Sequence, residues 1–385
     1  MNRGILLVTR NFPPILGGME RLLHHAYQEL GKDFRVSLVG PHGCETYISP
    51  DTRFLSCALS PTWGFLSCLQ WRTYRLAREM KPDLIVAGSG VAVPAALCAA
   101  RSIGVPVVCY LHGLDLVASN PIYRQVFIPL IRRCDKIVVN SRNTGQLAHD
   151  IGIAPASIEL LHPGVAIPEP DGRVASPSLR DKLDARGKLI LLSVGRIHPR
   201  KGLPEFIEQT MPLLVKNIPN VMLVIIGEEP QKALKSSGAE LQRVLTAAKS
   251  VGLEKHVVTM GAVDDATLAA AYRDGDLLIF PVLDLPGDVE GFGMVALEAA
   301  AYGFPTVAFA AGGVPDAIKE GVSGYLVTPG DYISFAGAVI RCLNEKSAGW
   351  RDRCIDHARD FSWDFFGERL RKICRDAIDS AREKK

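Results

Sequence analysis

Short apolar runs alternate with helix-spaced patterns from one end of this chain to the other. That alternation limits it to βαβ units and a parallel sheet. In the first half the runs are Ile5–Val8, Val36–Val39, Leu84–Ala87, Val105–Tyr110, Lys136–Val139 and Ser157–Leu161. A second set begins at Leu189–Val194 and continues with Val221–Ile226, Val257–Met260, Leu277–Phe280, Thr306–Phe309 and Gly324–Val327. Between the sets lies VAIPEPDGRVASPSLRDKLDARG, rich in turn formers, which reads as a linker with one short helix. A length of 385 residues is too long for one comfortable core. The economical expectation is two Rossmann-like α/β domains in tandem. After Phe361, the residues Trp363, Phe366, Leu370, Ile373 and Ile378 are spaced for an amphipathic helix.

Composition excludes several classes. A net charge of +3 is too small to imply a nucleic-acid partner. The first 180 residues are more basic than the rest, which suits an anionic acceptor or membrane surface and equally an ordinary solvated face. Nine scattered cysteines show no Cys-x-x-Cys spacing, and no His pair has metal spacing, so reduced thiols in a cytosolic protein are expected. The apolar stretch Ile5–Val8 is too short for a secretory signal, and Val91–Ala100 is too short to span a membrane.

The most informative stretch for chemistry is DVEGFGMVALEAAAYGFP. Gly291 and Gly293 allow a tight turn, and Met294 onward reads as a short buried helix that Gly303 and Pro305 end. Glu290 then precedes a helix N-terminus, and Glu298 lies inside the helix. The unpaired N–H groups of that helix start suit an anion such as a diphosphate. Carboxylates beside a phosphate suit sugar or ribose hydroxyls better than the phosphate itself. A sugar nucleotide is the implied ligand.

Other loops support this reading less specifically. Gly17 and Gly18 stand at the start of a helix after the first strand, either to admit a phosphate or simply to turn; Glu20 complements that helix's dipole. In SVGRIHPRKG, Arg196 and Lys201 occupy a loop at a strand's carboxyl end, where a phosphate is expected in an α/β sheet. His112 ends the strand VPVVCYLHGLD, with Gly113 and Asp115 following; its imidazole has either a substrate hydroxyl or a backbone carbonyl as partner. Gly312 and Gly313 offer further N–H donors or a plain turn.

GGME at 17–20, HGLD at 112–115, HPGV at 162–165, GRIHPRKG at 195–202, EGFGMVALE at 290–298 and GGVPD at 312–316 resemble, in order, the retaining glycosyltransferases of family 4, with the GT-B fold. DVEGFG is also similar to the branch containing phosphatidylinositol mannoside mannosyltransferases. The resemblance implies two Rossmann-like domains facing across a cleft, the final helix returning to the first. Residues 1–168 with 360–385 would form the acceptor domain, 169–187 the linker, and 188–359 the donor domain. Arg196 and Lys201 would bind the donor diphosphate and Glu298 the ribose. Glu290 would hold the transferred sugar, helped by backbone N–H groups from Gly291 through Phe292 and Gly293 to Met294. Gly17 or Gly18 would close over the phosphates, and His112 would contact the sugar near its reacting face. His162 departs from the small or polar residue common at its position.

The same resemblance implies transfer of a hexosyl group, of mannose, glucose or N-acetylhexosamine type, from a GDP-sugar or UDP-sugar with retained configuration. Arg196, Lys201 and the helix start would stabilise the leaving group in place of a metal, so no metal or other cofactor is expected. Double displacement through an enzyme carboxylate ranks lower. A GT-B sugar-nucleotide epimerase is the alternative enzyme, and a dinucleotide-dependent oxidoreductase lacks its G-x-G-x-x-G fingerprint here. The expected acceptor is a glycan or lipid-linked molecule used in cell-surface polysaccharide or glycolipid synthesis at the cytoplasmic face of the membrane. The segment TWGFLSCLQWRTYRLAREMK mixes aromatics with cations, a composition able to lie on an anionic membrane or to form an ordinary surface helix.

Overall fold

The protein, seen in a computed structural model, is described over residues 3–169, 178–229, 239–345 and 349–383. It divides into two compact units. One comprises Met1–Gly164, Pro286–Phe292 and Trp363–Lys385; the other comprises Val165–Leu285 and Gly293–Ser362.

The first unit holds a seven-stranded sheet of β1 (Gly4–Val8), β2 (Arg35–Pro41), β3 (Phe54–Cys57), β4 (Leu84–Ala87), β5 (Val107–Leu111), β6 (Lys136–Val139) and β7 (Ile158–Leu160), in the order β3-β2-β1-β4-β5-β6-β7. Every pairing is parallel. A sheet buried on both faces needs strands that are apolar at consecutive positions, and β1 meets this by sending Ile5 and Leu7 to one side and Leu6 and Val8 to the other. Helices α1 (Gly18–Gly31) and Trp363–Glu383 cover the Ile5 side; α2 (Thr62–Met80) and α3 (Val93–Ile103) cover the Leu6 side.

α1 buries Leu22, Leu23, Ala26 and Leu30, one stripe at helical spacing. Phe366, Leu370, Ile373 and Cys374 of the last helix join the same core. A largely buried ion pair also ties these helices, Arg371 Nη1 to Glu29 Oε2 at 2.5 Å. A β-carbon at Gly367 would overlap that carboxylate. Glycine inside a helix costs about 1 kcal/mol relative to alanine, and here it makes room for the ion pair.

The second unit holds β8 (Leu189–Val194), β9 (Val221–Ile226), β10 (Val257–Thr259), β11 (Leu277–Phe280), β12 (Thr306–Phe309) and β13 (Gly324–Val327), in the order β10-β9-β8-β11-β12-β13. Asp276, just before β11, accepts the N–H of Ile190 at 2.7 Å and pairs with Arg180 at 2.8 Å, fastening the short helix Leu179–Lys182 to this sheet. Of the expected linker, residues 170–177 lie outside the described residues.

The strands match the apolar runs closely, with three departures, the first being that β2 runs on to Pro41, two residues past Val39. β3 was not expected: it is a short, mostly half-buried edge strand whose Phe-Leu-Ser-Cys is too brief and mixed to stand out. β5 begins at Val107 rather than Val105, after Pro106, which has no N–H to offer a ladder. In each sheet the strand order reverses beside a central strand, between β1 and β4 and between β8 and β11. Carboxyl-end loops at such reversals are where α/β sheets bind ligands.

Candidate active site

In the first unit, the loop after β1 reaches α1 through Gly17, an extended residue whose carbonyl accepts from Arg21 N. Gly18 is the first helical residue, so the N–H groups of α1 open toward the carboxyl end of the sheet. Glu20 does more than complement the helix dipole. It is buried, and its Oε1 accepts from Asn11 Nδ2 at 2.8 Å, tying the glycine turn to the end of β1.

His112 follows β5 directly and is 4% exposed. Its Nε2 lies 2.9 Å from the Gly88 carbonyl oxygen beyond β4. A carbonyl only accepts, so Nε2 carries the proton, and in the neutral ring Nδ1 is left as an acceptor. Nδ1 is buried without a hydrogen-bond partner. Of the two partners open to the imidazole, the backbone carbonyl holds one nitrogen. Asp115 fixes the arrangement: Oδ2 accepts His112 N and Oδ1 accepts Gly90 N, both at 3.1 Å, bridging the ends of β5 and β4.

Within the same unit, the segment Pro286–Phe292 packs against these strand ends. Gly291 meets the His112 carbonyl and the Asn140 side chain, with no room for a β-carbon. Phe292 is buried and stacks on His162, ring centroids 5.3 Å apart. The half-buried Glu290 is therefore carried on a segment anchored at His112 and His162. His162 is the platform for Phe292.

In the second unit, β8 runs into Gly195, whose φ of 129° belongs to a region glycine alone adopts readily. Arg196 follows, exposed. Lys201 ends a short turn, Pro199–Lys201, and its Nζ stands 4.6 Å above the centroid of the Phe280 ring at the carboxyl end of β11. Gly293, left-handed at φ 112°, caps the helix Met294–Ala301, and a β-carbon there would press on Phe280 Cε1 at 3.2 Å. One aromatic ring thus sits beneath a cation and beside a helix N-terminus. The cation–π contact is worth about 0.5–1 kcal/mol and orients the ammonium. Glu298, one turn into the helix, accepts a 2.6 Å hydrogen bond from Tyr272 Oη at its Oε2. The Gly312–Gly313 turn is close by, since Val314 and Ala317 also approach Gly293.

Phe280 and Tyr272 escaped the sequence reading as site residues, and Asp115 was noted there beside His112 but given no role. Only the position of Asp115, three residues after His112, offered a signal. Among the described residues no three His, Cys, Asp or Glu side chains gather where they could hold a metal ion, and no helix is long and apolar enough to cross a membrane. A cavity of about 590 Å³, lined in part by Arg78, Lys81, Asp83, Ile378 and Arg382, lies at the amino ends of β1, β4 and β5, at the opposite end of the sheet from the loops that carry His112 and Gly17. Its cations sit near helix carboxyl ends, where they offset the dipoles.

A profile for glycosyltransferase family 4 matches residues 16–167, and one for glycosyl transferases group 1 matches residues 176–361. The chain is 30% identical over 305 residues to D-inositol 3-phosphate glycosyltransferase 1 of Catenulispora acidiphila, covering 74% of this chain and 69% of that one. It is 29% identical over 351 residues to the GDP-mannose-dependent alpha-(1-6)-phosphatidylinositol monomannoside mannosyltransferase of Mycolicibacterium smegmatis, covering 87% and 88%. Among solved structures, HepE of Anabaena in complex with UDP-glucose superposes with a TM-score of 0.77 at 20% identity, over 97% of this chain and 100% of that one. Sucrose-phosphate synthase from Thermosynechococcus elongatus gives 0.79 at 19% identity, over 98% and 100%. The shared fold is GT-B.

Proposed function

Because this chain belongs to glycosyltransferase family 4, we propose that it moves a hexosyl group, of mannose, glucose or N-acetylhexosamine type, from a nucleotide-diphosphate sugar to a glycan or lipid-linked acceptor, with retention of configuration. The observation that carries this reading is the convergence on Phe280. Lys201 lies over its ring and the N-terminus of Met294–Ala301 lies at its edge, a cation and a set of unpaired N–H donors in one place. That combination suits a diphosphate. Arg196, on the same loop as Lys201, adds a planar, always-charged donor.

In this proposal Glu298, steered by Tyr272, accepts from the ribose hydroxyls, and Glu290 accepts from hydroxyls of the transferred sugar. The N–H groups from Gly291 to Met294 face the donor, and Gly17 and Gly18 present the start of α1 to its phosphates. His112, with Nε2 held by Gly88, keeps Nδ1 as an acceptor for a sugar hydroxyl. During transfer the bond from the anomeric carbon to the phosphate oxygen breaks and a bond to the acceptor oxygen forms on the same face. The acceptor's proton passes to the departing phosphate oxygen. Arg196, Lys201 and the helix start stabilise the negative charge that accumulates there, a preorganised electrostatic role needing no metal.

The similar proteins are transferases or synthases by name, and nothing in the site favours the epimerase. The names also direct the donor question to GDP-mannose and UDP-glucose. Thermal unfolding in the presence of GDP, UDP, ADP and their sugar conjugates tests the proposal, since a ligand bound only by the folded protein raises its apparent stability. A rise with one nucleotide diphosphate, larger for its sugar conjugate, is expected; no rise with any of them overturns it.

A further inference from the structure

We propose that the cavity at the amino ends of β1, β4 and β5 is a second ligand site, built for a small phosphate monoester that carries hydroxyl groups, such as a sugar phosphate. It holds about 590 Å³, within the ordinary range for sites that take small organic molecules. Three helix ends bound it: α2 at Arg78 and Lys81, α3 at Ser102 and Gly104, and the last helix at Ile378 and Arg382. α2 and α3 cover the Leu6 side of the sheet and the last helix the Ile5 side, so an occupant bridges the two layers past the sheet's amino edge.

Charge sets the class of ligand. Arg382 pairs with Asp83 at 2.8 Å, and the other oxygen of Asp83 accepts Gly4 N at 2.9 Å. Glu79, on the last turn of α2, pairs with Arg53. Among the described residues no carboxylate pairs with Arg78, which stands 5.9 Å over the Tyr74 ring, or with Lys81. A helix carboxyl end carries about half a negative charge. One cation exceeds that, yet α2 brings two to the cavity. The surplus suits a phosphate dianion, with the Arg78 guanidinium giving paired N–H donors and Lys81 a point charge. The last carbonyls of α2 and α3 have no helical N–H to accept, so they meet hydroxyl groups. Inorganic phosphate leaves those acceptors unused, and an uncharged sugar leaves the cations unused.

The backbone at Lys81 points the same way. Lys81 caps α2 in the left-handed region, at φ 44° and ψ 59°. α3 ends at the same cavity in the same conformation, but with Gly104, at φ 70°. Glycine enters this region without strain and lysine does not. Among the described residues other than glycine, Lys81 and Asp184 alone have positive φ. A side chain kept at such a cap sets an ammonium at the cavity mouth against the preference of the backbone. The cavity lies at the opposite end of the sheet from Gly17 and His112, so its occupant is neither donor nor acceptor of the proposed transfer, and the inference does not rest on that activity.

The test is calorimetric titration of the full chain with glucose 6-phosphate, inorganic phosphate and glucose. Glucose 6-phosphate should bind about tenfold more tightly than inorganic phosphate or better, and glucose should give no signal. Arg78→Gln/Lys81→Gln should weaken glucose 6-phosphate by about tenfold or more, whereas Lys201→Met should leave it unchanged. Lys81→Gly separates binding from capping: affinity should fall while the thermal unfolding midpoint holds or rises, because the left-handed cap loses its strain. Absence of glucose 6-phosphate binding, equal affinity for inorganic phosphate, or wild-type affinity in the double variant overturns the proposal. So does loss of binding in Lys201→Met, which would assign the ligand to the nucleotide site. A lower midpoint with unchanged affinity in Lys81→Gly also overturns it, leaving Lys81 as a helix cap alone.

Discussion

Gly291 packs so closely on the carbonyl oxygen of His112 that no β-carbon fits between them. The two residues are far apart in sequence, and their contact holds the Glu290 segment on the end of β5. Gly291 has no left-handed φ to account for it, so close approach is the reason for glycine. Gly291→Ala should lift the segment and displace Glu290. A stability loss of roughly 1–3 kcal/mol, typical of overpacking, is expected together with at least tenfold lower turnover. Unfolding in urea and steady-state kinetics measure the two, and wild-type turnover in this variant would separate Glu290 from catalysis.

Glu290 and Lys201 should fail differently. Glu290→Ala is expected to lower kcat by about a hundredfold or more while nucleotide diphosphate affinity stays within about threefold, because it removes a contact to the sugar alone. Lys201→Met should weaken nucleotide diphosphate binding and turnover together, by roughly tenfold or more. Calorimetric titration beside initial rates distinguishes these patterns. Equal loss of nucleotide affinity in both variants contradicts the division of roles.

Tyr272 holds Glu298 through a 2.6 Å hydrogen bond. In Tyr272→Phe the carboxylate loses a donor worth about 1.5–3 kcal/mol at most, and its orientation loosens. Binding of the ribonucleotide should weaken about three- to tenfold, with a smaller effect on a 2′,3′-dideoxy analogue that offers Glu298 no hydroxyl. An identical loss for both ligands would place Glu298 away from the ribose.

His25 stacks on Trp363 at 3.8 Å between ring centroids, joining α1 to the last helix. Burial, and then the neighbouring His24, push its pKa down to about 4 from an ordinary 6.5. Above pH 6.5 the ring is neutral in both folded and unfolded chains. As pH falls from 6.5 toward 4 the unfolded chain takes up a proton that the folded one refuses, so stability declines across that window and this contribution levels off below it. His25→Gln should flatten the decline. Urea midpoints measured from pH 7 to 4 check this, and parallel curves for the two proteins would rule His25 out as the source.

The division between what was legible in the sequence and what was not reflects the range of the interactions. Buried parallel strands announce themselves as apolar runs because each residue's environment is set by a local period. Ten of the twelve expected runs agree with strands to within a residue at each end; the first-half Val36–Val39 and Val105–Tyr110 differ by two. β3 went unseen because a half-buried edge strand has too weak a pattern. The turn at Gly293 and the helix after it were likewise legible, since φ > 0 and capping are local needs.

What brings Lys201 over Phe280, Tyr272 onto Glu298 and Gly291 against His112 is packing between segments with no sequence register in common. The sequence by itself determined two parallel sheets, the loops at their carboxyl ends and the residue types those loops carry. Tertiary structure alone decided which side chains support them. Segment 286–292, inside the span expected of the second domain, packs within the first unit. His112 is held at Nε2 by a carbonyl of the neighbouring strand end, leaving Nδ1 as its other hydrogen-bonding atom. The physical reason is that propensity and periodicity act over one or two turns of chain, whereas excluded volume and hydrogen-bond satisfaction are settled only when distant segments meet.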